Sequence, residues 1–236
     1  MERAPRSVDA IVDAQVQRWL AERQRIGTPP AAPPPVITVS REFGARGAAV
    51  GKLVADRLKF SFWNRELLGA IAAHARVDPA MLERFDEHHP SVLAETVSGF
   101  IPSAHGVSQL DYVRELTLVV RDLAARGGAV LVGRGLNFMI DPGRALRVRF
   151  VCPLDQRVQE LAERDGISTD DARATIAEAD RDRRAFVRDL YGRDIDDPAG
   201  YDLWINTGTI ALDTAADLIV AAVRARFPQA VRTVTG

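Results

Sequence analysis

The chain has 236 residues, 47% hydrophobic and 27% charged, with 31 basic residues against 32 acidic ones and a formal net charge of −1. That length can bury a substantial core, and the charge balance excludes a global pull toward nucleic acid or membrane, so any anion site must come from local clustering. The single cysteine, Cys152, excludes an intramolecular disulfide and a cysteine metal cluster, and apolar runs such as Ala129–Val132 are too short to span a bilayer.

The first residues lead into no apolar leader core, and a cytoplasmic protein is expected. Residues 7–26 are predicted helical, with Ile11, Val12, Val16, Trp19 and Leu20 at helical spacing. Five prolines between Gly27 and Pro35 then stop any helix and favour extended backbone. Residues 1–35 therefore form an extension whose helix is expected to dock on the body or on a partner. The main domain, 36–228, opens on the β-branched run Val36-Ile37-Thr38-Val39, then a glycine-containing loop and a helix with Val50, Leu53, Val54 and Leu58 on one face.

A second strand is predicted at 60–63, helices at 64–75, 79–87, 90–99 and 108–125, and further strands at 129–132, 146–151 and 203–205. Cys152 closes the fourth of these strands as a core residue. Continuous apolar strands separated by helices indicate a five-stranded, doubly wound parallel sheet, an α/β fold that binds ligands at the carboxyl ends of its strands. A charged stretch, Asp165 to Asp197, separates the last two strands; by itself it reads as a solvated helix with i,i+4 ion pairs. Residues 229–236 are a tail. His74, His88, His89 and His105 lack metal-ligand spacing and are expected at the surface.

Two loops could hold phosphate. The segment Ser40-Arg41-Glu42-Phe43-Gly44-Ala45-Arg46-Gly47-Ala48-Ala49 joins the first strand to its helix, where backbone N–H groups face an anion. A strict G-x-x-x-x-G-K-[ST] motif is absent: before Gly51-Lys52 the fifth residue back is Arg46, and Leu53 stands where a hydroxyl is needed. The second loop, Gly133-Arg134-Gly135, delivers an arginine at the tip of a buried strand, suited to bidentate phosphate capture or to a loop carbonyl or carboxylate.

These segments, with Asp155-Gln156-Arg157-Val158, Glu163 to Ser168, Asp180-x-x-Arg183 and Tyr201 to Thr207, together resemble the cytidylate kinase-like family of P-loop nucleoside monophosphate kinases. The resemblance covers residues 36–226. It implies a parallel sheet with a phosphate loop, an acceptor-binding helical insertion at about 64–126 and a mobile lid at about 157–197. It implies a kinase moving the γ-phosphoryl group of ATP to CMP or a related acceptor, with nucleotides as partners. Magnesium would be held mainly by the nucleotide, with no protein metal ligand.

Residue by residue, Ser40, Arg41, Gly44, Ala45, Arg46, Gly47, Ala48 and Ala49 match the phosphate loop, and Asn206 and Thr207 the adenine-side loop. Gly133 and Arg134 match the acceptor-phosphate grip. Asp180 and Arg183 match the Asp-x-x-Arg element, and Arg157 and Arg188 are the lid arginines; these four are the expected catalytic set. Gly47 aligns with the family's lysine and Ala49 with its hydroxyl residue, while Asn64 stands where relatives often have Asp. A weakly catalytic regulatory module, or a kinase of another phosphorylated acceptor, are the rival readings.

Overall fold

A computed structural model describes residues 33–64 and 109–228, with side chains from 117 onward in the second stretch. The expected N-terminal helix, the helices within 65–99, the four histidines and the tail lie outside the described residues. The chain divides into two compact units, and the one made of Ala32–Phe62 and Val120–Gly236 carries the sheet core and the site. Of the other unit, only Trp63, Asn64 and the first part of one helix are described.

In chain order the elements are β1 (Val36–Arg41), α1 (Gly47–Leu58), β2 (Ser61–Trp63), α2 (Gln109–Arg126), β3 (Ala129–Val132), β4 (Ala145–Val151), α3 (Leu154–Asp165), α4 (Thr169–Tyr191), β5 (Leu203–Asn206) and α5 (Leu212–Arg226). The expected strands all occur, within a residue at each end except β1, which runs two residues past Val39 to Arg41, and α3 and α5 are additions to the expectation. The five strands form one sheet in the order β2-β3-β1-β4-β5. β1 runs parallel to both β3 and β4, in the registers Val36↔Ala129 and Val36↔Ala145, and β5 runs parallel to β4. No described helix is long and apolar enough to cross a membrane.

The pleat sorts side chains onto two faces. Ile37, Val39, Val130, Val148 and Phe150 bury one face against Val50 and Val54 of α1 and Ile219 and Val223 of α5. Each such aliphatic group contributes about 1.5–3 kcal/mol of burial, which makes this layer the main source of stability. Arg57 of α1 adds hydrogen bonds to Asp213 and Asp217 of α5, at 2.6 and 3.0 Å. The other face carries Ser40 and Arg149, paired across the β1–β4 ladder, with Tyr201 beside them.

α3 and α4 form a hairpin with a core of its own: Val158, Leu161, Ala172 and Ile176, into which Phe43 of the β1–α1 loop packs. Gly166 ends α3 in the left-handed conformation, and Ser168 caps α4 by accepting from Asp171 N–H. The chain leaves β1 toward the β2 edge and leaves β4 toward the β5 edge, although β1 and β4 are neighbours. Their carboxyl ends therefore flank the switch point of the sheet, where α/β folds open a binding crevice.

Candidate functional site

A cleft of about 620 Å³ opens at that switch point. Its floor is the β1–α1 loop, with Arg41, Glu42, Phe43, Gly44, Arg46, Gly47 and Ala48 on the lining. Its wall is the helical hairpin, which contributes Arg157, Glu160, Leu161, Glu163, Arg164 and Arg183. Five arginines against three glutamates make the lining cationic, so local clustering supplies what the balanced total charge does not.

The loop is shaped by bonds to its own backbone. Gly44 has φ +83, which favours glycine, and a Cβ there would crowd Arg157 Cβ at 3.3 Å. Arg46 holds a left-handed φ of 55 as the residue before α1, a conformation costing a non-glycine residue about 1–2 kcal/mol. Strain of that size persists where the surroundings over-determine it, often at ligand sites. Its guanidinium pairs with Glu160 at 2.8 Å across the cleft.

Arg157 and Asp180 clamp the loop tip from both sides. Phe43 N–H donates to Asp180 Oδ1 at 2.7 Å, and Arg157 Nη1 donates to Phe43 C=O at 3.0 Å and to Asp180 Oδ2 at 2.6 Å. Arg157 Nε donates to Cys152 C=O, and Glu42, which accepts from Cys152 N–H at 2.9 Å, lies 3.6 Å from Arg157 Nη2. The expected lid arginine thus has a buried guanidinium engaged with backbone and carboxylates, although its side chain touches the cleft. Burial pushes the Cys152 thiol pKa up, against a lowering hydrogen bond with Thr207, so that thiol stays protonated.

Arg183 is more open. It lies 5.4 Å above the Phe43 ring, donates to Arg41 C=O at 3.2 Å and stands 3.8 Å from Asp180 Oδ1. Its side chain is 28% exposed, so the guanidinium borders the cleft.

Other expected residues fall elsewhere. Ser40 is a correction: its hydroxyl is buried on the opposite face, accepting from Arg149 Nη1 at 2.8 Å and from the Tyr201 hydroxyl, because the pleat turns it away from the loop. Ala45 is buried, and its C=O accepts from Thr207 Oγ1 at 2.9 Å; Thr207 thus braces the loop from beneath, while Asn206 Oδ1 accepts from Gly208 N–H. Arg188 is exposed on α4 and absent from the cleft lining.

Gly133, Arg134 and Gly135 all hold positive φ, which turns the chain sharply at the end of β3. Gly133 N–H donates to Val39 C=O, and the Tyr191 hydroxyl donates to Arg134 C=O at 2.7 Å. Arg134 does not line the cleft, but the Arg41 guanidinium lies directly against Gly133, so the two loops meet. Among the described residues no cluster of His, Cys, Asp or Glu could hold a metal ion.

A model of the Cytidylate kinase-like family matches residues 36–209, a span running from β1 through the turn after β5. The chain belongs to that family. Similarity to a cytidylate kinase from Thermococcus kodakarensis is 32% identity over 110 residues, 47% of this chain and 56% of that protein. Another, from Pyrococcus horikoshii, is 32% identical over 102 residues, 43% of this chain and 53% of that protein. A protein named Uronate isomerase, from Corynebacterium glutamicum, is 32% identical over 126 residues, 51% of this chain but 23% of its own length.

The chain thus spans about half or less of the length of these relatives. A crystal structure of an uncharacterized protein from Eubacterium ventriosum shares the fold, with a TM-score of 0.59 at 19% identity over 80% of this chain and 97% of that one.

Within the cytidylate kinase-like frame the loop's departures become geometric. Arg41 and Arg46 stand five residues apart, the spacing of the two glycines in G-x-x-x-x-G-K-[ST], and Gly47 and Ala48 follow where lysine and hydroxyl would stand. This moves the hydroxyl position from the expected Ala49 to Ala48, and neither side chain can ligate a cation. Glu42 and Phe43, expected only as part of the loop Ser40–Ala49, are the residues through which the hairpin holds that loop. Their only signal was an acidic and an aromatic residue directly after a buried strand.

Proposed function

We propose that this protein is a nucleotide kinase that uses ATP as phosphoryl donor and CMP or a related monophosphate as acceptor. The observation that carries the reading is the arginine-lined cleft over the N-terminus of α1, at the switch point of the sheet. The loop offers helix-start N–H groups to a polyphosphate, and Arg46 and Arg183 supply charge beside them. Phosphoryl transfer asks mainly for positioning and charge stabilisation. Arg183, steered by Asp180 on the same helix, is the group we assign to the charge that develops during transfer. Arg157 holds the loop that orients the donor. Arg134, at the end of β3, is assigned to the acceptor's phosphate, where a guanidinium fork suits terminal oxygens. Bound magnesium would neutralise phosphate charge, held by the nucleotide and water, since Ala48 and Ala49 offer no ligand.

A second reading, binding with little turnover, is favoured by one specific observation. Phe43 N–H, a loop amide that could face a phosphate, is already committed to Asp180 at 2.7 Å. Single-turnover transfer from radiolabelled ATP with magnesium to a panel of monophosphates separates the two readings. Transfer to CMP that Arg183→Ala abolishes supports the kinase with its assigned arginine. Tight ATP binding with no transfer to any acceptor promotes the second reading.

A further inference from the structure

We infer that Arg41 carries the phosphate-directed cation of this loop, the strand end and the helix start having exchanged arginine and glycine relative to the lysine-bearing motif. The inference rests on the nucleotide-kinase reading and names a residue within it.

The helix start is closed to any side chain. A Cβ on Gly47 would meet Phe150 Cδ2 at 2.8 Å and Arg41 Cβ at 2.9 Å, both below the separation that real Cβ atoms keep. Phe150 is fully buried in the sheet core and cannot swing aside, and a β-carbon at the root of a side chain cannot move without its backbone. A lysine at position 47 would have to begin in space that Phe150 and Arg41 already fill. The loop has therefore lost its lysine to packing as well as to sequence.

The same contact locates the replacement. Arg41 Cβ touches the place where the Gly47 side chain would begin, so a cation rooted at 41 starts from the neighbouring point on the cleft floor. From there the side chain runs past the loop to Gly133, where its guanidinium fills the space a Cβ would need. Arg41 thus lines the phosphate cleft at one end and reaches the end of β3 at the other, where the acceptor-side arginine loop begins. A group bridging those two loops lies between donor and acceptor.

Arg183 fixes the Arg41 main chain through its bond to the Arg41 carbonyl.

The test is calorimetric titration of the full chain with magnesium ATP and, separately, with inorganic triphosphate, on wild type, Arg41→Gln, Arg41→Lys and Gly47→Lys. Arg41→Gln keeps the length and loses the charge; it should weaken both ligands by about tenfold or more, with an unchanged thermal midpoint. Arg41→Lys should stay within about threefold of wild type, because it restores the charge without the fork. Gly47→Lys should gain no affinity and should lower the midpoint, since its Cβ has no room.

Undiminished binding by Arg41→Gln overturns the inference alone, as does tighter binding by Gly47→Lys. A fall in midpoint that accompanies the Arg41→Gln loss and persists in Arg41→Lys marks a packing role and overturns it too. Failure of wild type to bind either ligand overturns this inference and the kinase reading together.

Discussion

Asp180→Ala tests whether the clamp on the β1–α1 loop is a stability element. The carboxylate is 10% exposed in its side chain, and its partner Arg157 is 7% exposed. Removing it takes away the 2.6 Å bond to Arg157 and the 2.7 Å acceptor of Phe43 N–H. Breaking a buried ion pair from one side costs about 3–5 kcal/mol, because the remaining charge is stranded. Here Arg157 keeps the carbonyls of Cys152 and Phe43 and has Glu42 at 3.6 Å, which places the cost at the low end, about 3 kcal/mol. For a chain of this size that is a fall of about 6–12 °C in thermal midpoint.

The control is Asp155→Ala, which breaks the Arg173–Asp155 pair, whose side chains are 50% and 89% exposed. Exposed pairs contribute about 0–1 kcal/mol, so that variant should melt within a degree or two of wild type. Differential scanning calorimetry at two salt concentrations reads both, and the Asp180 effect should be the less sensitive to salt. If Asp180→Ala melts no lower than Asp155→Ala, the clamp does not stabilise the fold and the reasoning from burial is wrong.

Arg134→Lys should weaken acceptor binding while leaving ATP affinity within about twofold, since it keeps charge and loses the planar fork; equal weakening of both ligands refutes the acceptor assignment. Glu160→Gln should raise triphosphate affinity by about two- to fivefold by releasing Arg46 from its exposed pair, and calorimetry showing no gain would mean that Arg46 does not face the ligand.

Asp196 and Asp202 supply the pH dependence. Burial works to raise both carboxyls, but Arg184 and Arg149 around Asp196, and Arg147 and Arg226 around Asp202, outweigh it and hold them below the ordinary carboxylate range. The unfolded chain then binds more protons than the folded one in acid, so this stability is present above about pH 4 and is lost as pH falls through the folded values. Asp202→Asn should flatten the acid limb of a chemical-denaturation profile between about pH 5 and pH 2, and an unchanged limb would count against the Arg147 pairing.

Strands were legible because β3 reads as an unbroken apolar run, β1 opens on the β-branched run Val36–Val39, and β4 alternates Leu146, Val148 and Phe150 with Arg147 and Arg149. Helix α5 went unassigned because Ala215, Ala216, Ile219 and Val223 make a small-residue stripe beside Leu218, which is exposed, so the apolar pattern does not mark one face cleanly. At the site, the loop could be located from its place after a β-branched strand, and the Asp-x-x-Arg spacing correctly put Asp180 and Arg183 near one another on a helix. The partners of Arg157 could not be read. They are backbone atoms of residues 43 and 152 and a carboxylate at 180, brought together only by the sheet order and the hairpin. Ser40 misled for a related reason: one residue of strand separates the loop side from the opposite face, and that alternation outranks proximity in sequence.

The bonds around Phe43 also bear on how the hairpin can move. A lid that swings freely must part from the loop it covers, yet here α3 and α4 are joined to the loop through Arg157, Asp180 and the packing of Phe43 into the hairpin core. Parting at that line would expose a buried ion pair and an aromatic ring together, which is costly on the scale of thermal motion. Toward the α3–α4 turn the contact with the loop is weaker: Arg46–Glu160 is half exposed. Motion that breaks that exposed pair while keeping the clamp would leave the loop's shape intact. The expected hinge line is then at Arg157 and Asp180, with the part of the hairpin beyond them as the part free to shift. Hydrogen exchange should accordingly protect the Phe43 amide more strongly than the amides of the exposed α3–α4 turn, and equal protection at both would place the hinge elsewhere.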